Sequence, residues 1–303
     1  MPKLHNWLET CLGVAVVFVL VLFAPGTSGA VATQFTNITL FTSDGIFGSL
    51  TDLIGPVPRG VTVSGGGFAG TANAYVWSAN FSALARYGVL EIFGQTETDG
   101  RGAVLGTARA ETQDTLTITN NALTSQAGVV HATIFLDGSA SASRTNTSVG
   151  ASGSWDFAAL ANGSVFLNES QSQAPGCGQI GCNTPDVSGL FAVDIPFIFG
   201  SPFILTLEVS GQTNAGIGAT SPGPGGASAS FDLAHSIDWG GISSVTSNGV
   251  AVPYSLTSES GFDWSMSQIP TTSVPEPSSW ILVAFGVVVR RSFMRRKAQD
   301  SMN

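Results

Sequence analysis

The sequence predicts an all-β protein: an antiparallel β-sandwich, jelly-roll-like in kind, with an N-terminal signal helix before it and a short C-terminal membrane helix after it. Three observations carry this. Short runs rich in β-branched and aromatic residues recur through residues 31–273, bounded by Gly, Asn, Asp and Ser. No helix-length segment intervenes to build parallel crossovers. Turn residues sit between successive runs, the pattern of an antiparallel sandwich or barrel.

QFTNITLFTS (34–43) opens the body and alternates Phe35, Asn37, Thr39 and Phe41 against Thr36, Ile38 and Leu40. The next strands expected are VLEIFGQT (89–96), DTLTITNNAL (114–123), GVVHATIFLDG (128–138) and GSVFLNES (163–170). Residues 79–87 and 157–161 read as a turn or two of helix at most. The small-residue tracts VSGGGFAGTANA (63–74) and DGSASASRTNTSVGASGS (137–154) read as long loops or weak strands.

VSGLFAVDIPFIFGSPFILTLEVSG (187–211) predicts two strands around Phe199-Gly200-Ser201-Pro202. Pro196 and Pro202 cannot donate to a ladder, which places these strands at an edge or gives them a bulge. After the loop TSPGPGGAS (220–228), ASASFDLAHSIDW (227–239) alternates again. Asn248-Gly249, between two apolar-alternating runs, predicts a two-residue hairpin, because both central positions need a positive φ. Residues 31–273 read as one β domain, with 267–277 a polar link to the tail.

Charge narrows the function classes. Only 10% of the 303 residues are charged, and 43% are hydrophobic. Residues 31–273 hold five arginines, no lysine and seventeen carboxylates, a formal charge of −12. Such a body repels phosphate backbones, which excludes nucleic acid as a partner. It tolerates cations and neutral polysaccharide.

Residues 1–30 read as a secretory signal peptide. Lys3 gives a weakly basic start, Leu12–Ala24 is an apolar run, and Pro25-Gly26 breaks it. Small residues then follow at spacings that suit signal peptidase. The alternative is an uncleaved anchor, against which the shortness of the run argues. Cleavage leaves two cysteines, Cys177 and Cys182, in APGCGQIGCN. In an exported chain they predict a disulfide closing a small Gly-rich loop. A redox pair or a metal site is the alternative; the Cys-x4-Cys spacing is not the redox motif, and only His131 and His235 remain as further imidazole ligands. No metal and no cofactor is expected.

The chain ends in VPEPSSWILVAFGVVVRRSFMRRKAQDSMN. Pro275-Glu276-Pro277 cannot be helix interior or central strand and reads as an extended, accessible peptide. The ten residues Trp280–Val289 follow, all apolar or glycine; Trp280, Ile281, Leu282, Val283, Phe285, Val287, Val288 and Val289 form the expected anchor. As a helix they span about 15 Å, half the ~30 Å of a bilayer core. Arg290, Arg291, Arg295, Arg296 and Lys297 then form a cluster retained in the cytoplasm, which puts the body outside. A plain C-terminal anchor is the alternative reading.

This order of Pro-Glu-Pro, tryptophan-led apolar run and basic cluster resembles the PEP-CTERM sorting signal of Gram-negative bacteria, over residues 274–303. The phrases PFIFGSPFILTLEVSG, ASASFDLAHSIDWGGI, SNGVAV and SLTSESGFDW are similar to the closing segments of PEP-CTERM surface proteins. The resemblance implies export, transient anchoring in the inner membrane and recognition by an exosortase. It also implies a place at the cell surface or in an exopolysaccharide or biofilm matrix.

Standard catalytic signatures do not occur in the sequence. There is no Gly-x-Ser-x-Gly elbow, no His-Glu-x-x-His, and no lysine in the body for a P-loop or Schiff base. The chain is therefore expected to be non-catalytic. Asp156 in GSWDF and Asp263 in GFDW lie beside tryptophans, as sugar-site carboxylates often do, but read as surface residues next to sandwich aromatics. A polysaccharide hydrolase would need two such groups facing each other. His131 and His235 read as strand residues. Trp77, Trp155, Trp239 and Trp264, with Tyr75 and Tyr254, are candidates for stacking on sugar rings, with core packing as the alternative. The expected function is an exported surface or matrix protein, with a carbohydrate-binding module or adhesin as the second reading.

Overall fold

The structure is a computed structural model. It describes residues 32–42, 47–53, 59–66, 76–99, 102–145, 149–175, 185–216 and 225–270, with backbone alone for 47–53, 59–66 and 235–236. The expected signal peptide, the Cys177–Cys182 loop and the tail from 274 onward lie outside the described residues.

Every regular element described is a strand: β1 (Thr33–Thr42), β2 (Phe47–Leu53), β3 (Arg59–Gly66), β4 (Val76–Arg86), β5 (Val89–Asp99), β6 (Ala103–Thr119), β7 (Ala127–Arg144), β8 (Gly150–Ala161), β9 (Ser164–Gln173), β10 (Val187–Ile198), β11 (Pro202–Gly216), β12 (Gly226–Ser247), β13 (Val250–Ala251) and β14 (Ser255–Ser258). They form two seven-stranded antiparallel sheets. One runs β2-β1-β6-β11-β8-β9 with β14 on β6; the other runs β10-β7-β12-β5-β4-β3 with β13 on β12.

The pairing is nested. β8 pairs with β9 through the two-residue turn Asn162-Gly163, where both residues have positive φ. Outside that hairpin β7 pairs with β10, then β6 with β11, then β5 with β12. Successive pairs fall in alternate sheets. The strands from β5 to β12 therefore form one long hairpin rolled upon itself. β1 and β2 extend one sheet; β3 and β4 extend the other.

Alternation of burial makes the two inner faces. β6 buries every second residue from Val104 to Ile118, and β11 does so from Phe203 to Thr213. The opposite sheet supplies Phe81, Leu90, Ile92, Ile134, Leu136 and Phe231 to the same core. Both sheets thus bury one face on a shared apolar layer, a sandwich-like arrangement. At ~25 cal/mol per Å2 of apolar surface, each buried aromatic adds several kcal/mol before chain entropy is subtracted.

Aromatic rings of this core occupy spaces left by glycines. A Cβ on Gly106 would lie 1.9 Å from Phe81 Cζ, and one on Gly211 would lie 2.6 Å from the Phe231 ring. Gly138 makes the same allowance for Trp155. At the Ser/Ala-rich end the sheets come closer still, since a Cβ on Gly153 would meet the backbone oxygen of Ser230 at 2.3 Å. This explains why 138–143 and 150–154 are regular strand although they carry no large side chains.

Two sequence expectations are corrected here. Residues 79–86 belong to β4 and 157–161 to β8, so neither makes a helical turn. Ala79, Phe81, Ala83 and Ala85 are buried alternately, and long-range pairing overrides the helix propensity of alanine. In β1 the outward residues are Phe35, Asn37, Thr39 and Phe41, whereas Gln34 and Thr36 point inward with Ile38 and Leu40.

The proline reading fits β10 and is corrected for β11, which runs between β6 and β8 without a bulge and tolerates proline only at its first residue. Pro196 sits in β10, which closes one end of its sheet's strand order, and Pro202 is the first residue of β11, ahead of its pairing with β8 at Leu205. Asn248-Gly249, with φ of 50° and 77°, turns β12 into β13.

Candidate functional site

The most elaborate side-chain arrangement lies where the chain leaves the sheets. β1 pairs with β6 as far as Thr33 opposite Gln113. Beyond that point β14 takes over the same edge, with Ser258 opposite Leu116. The segment from Glu259 to Gln268 then folds back across the end of the core, its first amide donating to Thr115 O.

Asp114 fixes this segment. Its position has the same parity as Leu116 and Ile118, so the carboxylate points into the interior, where it is fully buried. Oδ1 accepts the Ser260 backbone N–H at 3.1 Å; Oδ2 accepts the Ser260 hydroxyl at 2.5 Å and the Trp264 indole N–H at 2.7 Å. Three donors answer the desolvation cost of the carboxylate. Trp239 in turn donates its indole N–H to Trp264 O at 2.6 Å, and the two rings meet edge to face at 5.4 Å. Phe262 packs against Trp264 at 5.0 Å, and Tyr87 closes the cluster. Burial raises the Tyr87 phenol above its ordinary value, and Asp114 adds to that.

Outside this clasp opens a cleft of about 660 Å3, lined by β14 and by Tyr254, Gly261, Phe262, Asp263 and Ser265. Ser258 donates to Phe262 O at 2.8 Å, and the Ser260 hydroxyl accepts the Phe262 N–H, so the cleft wall is held by the clasp itself. Asp263 Oδ1 accepts both the backbone N–H and the hydroxyl of Ser265. Burial raises the Tyr254 phenol, and nearby Asp263 raises it further.

Other polar groups sit on the outer faces. Across β1, β6, β11 and β8, Arg109 bridges Glu111 and Glu208, each at 2.9 Å, and stands 5.7 Å from the centre of the Phe35 ring. Burial raises the Glu208 carboxyl; Arg109 opposes this, and Glu111 and Asp156 add to it. Asp156 itself accepts the Ser210 hydroxyl. On the other sheet, His131 Nδ1 lies 2.6 Å from Asp194 Oδ1 and its Nε2 lies 3.0 Å from Thr246 Oγ1. These three residues tie edge strand β10 through β7 to β12. The triplet lies on an outward sheet face, and the backbone N–H groups around it serve the ladders.

Sugar stacking by Trp77, Trp155, Trp239 and Trp264 does not survive the structure. Their exposures are 2%, 2%, 1% and 0%, so none offers a face to a ligand. They are core residues. Trp155 donates to Gln171 at 2.9 Å, and Gln171 donates to Asp186, the residue that leads into β10. Asp156 and Asp263 are placed far apart in role: the first lies on an outer sheet face, the second lines the cleft. Tyr75 and the side chain of His235 lie outside the described residues.

No protein-family model and no curated protein matches this chain. Of the aromatics read as sugar-stacking candidates, Tyr254 lines the cleft; the residues that sequence reasoning missed are Asp114 and Ser260. Asp114 had a signal: a carboxylate at the inward parity of DTLTIT demands buried donors.

Proposed function

We propose that the chain is an exported, non-catalytic surface or matrix protein, sorted through a C-terminal PEP-CTERM signal at residues 274–303. The ordered tail carries the reading: Pro275-Glu276-Pro277, the apolar run from Trp280, then the cluster from Arg290 to Lys297. The implied partners are signal peptidase, an exosortase, the inner membrane in passing, and extracellular polysaccharide. The nested alternation of pairs β5–β12, β6–β11, β7–β10 and β8–β9 supports a jelly-roll-like β-sandwich for the body. A body with no lysine, seventeen carboxylates and a Ser/Thr-rich surface suits life outside the cell.

The test follows a tagged wild type beside Glu276→Ala through cell fractionation. The wild type is expected at the cell surface or in the medium, and the variant in the inner membrane. Identical fractionation of the two removes the sorting reading.

A further inference from the structure

We infer that the cleft beside the clasp binds a neutral glycan, with Tyr254 and Phe262 as its apolar walls and Asp263 as its acceptor. The inference deepens the proposed surface role by placing its polysaccharide contact on this chain, and it is tested apart from sorting, because the binding assay does not involve the tail. Sugar rings present C–H faces to aromatic side chains and hydroxyls to polar ones, and the cleft offers both. Tyr254 and Phe262 are partly exposed while packed on the core, so their positions are fixed before a ligand arrives. The Tyr254 hydroxyl, the Ser255 hydroxyl and Asp263 Oδ2 carry no hydrogen-bond partner among the described residues. They alternate with apolar surface, the arrangement that small-molecule sites use for orientation.

Charge selects the ligand class. The lining has one carboxylate and no cationic side chain, and the body bears a formal charge of −12. Uronic-acid polymers and phosphorylated ligands are repelled, whereas a neutral polyol can donate to Asp263. The volume of about 660 Å3 lies within the ordinary range for small-ligand sites. Unlike the four tryptophans, these groups are reachable.

The full chain, purified in mild detergent, is to be titrated with hexasaccharides of β-1,3-glucose, β-1,4-glucose, α-1,4-glucose and β-1,4-mannose, with polygalacturonate as the acidic control. Saturable binding of at least one neutral hexasaccharide is expected. Tyr254→Ala should weaken it about 10-fold, and Asp263→Asn, which keeps the Oδ1 acceptor for Ser265, about 3-fold or more. Near-UV circular dichroism reports the fold. If Tyr254→Ala loses that signal, Asp263→Asn decides, because its exposed side chain is not part of the core. Failure of every neutral hexasaccharide to bind overturns the inference. So does equal affinity in the well-folded variants, or polygalacturonate binding as tightly as the neutral sugars.

Discussion

Trp264 donates its indole N–H to the buried carboxylate of Asp114 at 2.7 Å, joining two points 150 residues apart in sequence. Asp114 stands in the middle of the rolled hairpin, and Trp264 near the exit toward the tail. The contact therefore couples closure of the sheets to placement of the segment Glu259–Gln268. Trp264→Phe keeps most of the apolar volume and removes this donor and its charge-assisted bond. It should cost about 2 kcal/mol, or a fall in Tm of roughly 4–8 °C. Thermal unfolding followed by near-UV circular dichroism measures it, and an unchanged Tm would mean that the bond adds nothing.

Gly106 and Phe81 give a second prediction, one about shape. A methyl group at Gly106 would sit 1.9 Å from Phe81 Cζ. Gly106→Ala should destabilise by about 1–3 kcal/mol, the usual cost of overpacking. Phe81→Leu in the same chain should recover part of that loss, giving a favourable coupling in a double-mutant cycle in urea. Strict additivity would show that the ring and the glycine do not share the space.

Asp238 makes stability depend on pH in the direction opposite to most carboxylates. It lies in a row with Arg86, Val89 and Phe135 across three ladders. Burial raises its pKa to about 6; Arg86 opposes and Glu91 adds to the rise. Between the unfolded value near 4 and about 6, the folded chain binds the extra proton, so stability contributed by this group falls as pH rises through that window. Asp238→Asn should flatten the dependence there and stabilise the protein at pH 7 by on the order of 2 kcal/mol. Urea midpoints at pH 4 and pH 7 test it. Equal shifts at the two pH values would contradict the assignment.

His131 ties edge strand β10 to β12 through Asp194 and Thr246. His131→Phe should leave the core intact and loosen the edge. Hydrogen exchange of the β10 amides is expected to rise about 10-fold or more, with little change at β6. Uniform protection in the variant would show that the outer-face triplet does not hold the edge.

Much of the β architecture was legible because burial alternates along each strand. QFTNITLFTS, GVVHATIFLDG and FILTLEVSGQ all announce strands by period and composition. Asn248-Gly249 announces a turn through its φ requirement. The nested order was not legible, because nothing local marks β5 as the partner of β12, more than a hundred residues later. Nor was the regularity of β4, since alanines that make room for Phe81 look like helix formers until the ring is in place. The tryptophans show the same limit. Indole suits both a sugar platform and a core, and only the facing glycines and acceptors distinguish the two. The sequence did mark the candidate site through Tyr254, Asp263 and Trp264, but the buried partner, Asp114, lay on a distant strand.

The central claim concerns the tail, and intact-mass measurement of the mature protein tests it most directly. The account predicts a chain recovered from the cell surface or medium that lacks residues 1–30 and has been shortened at its C-terminal end, whereas Glu276→Ala keeps the tail and stays with the inner membrane. Recovery of the wild type from the cytosol at its full 31.1 kDa, with Met1 and Asn303 both present, would contradict it.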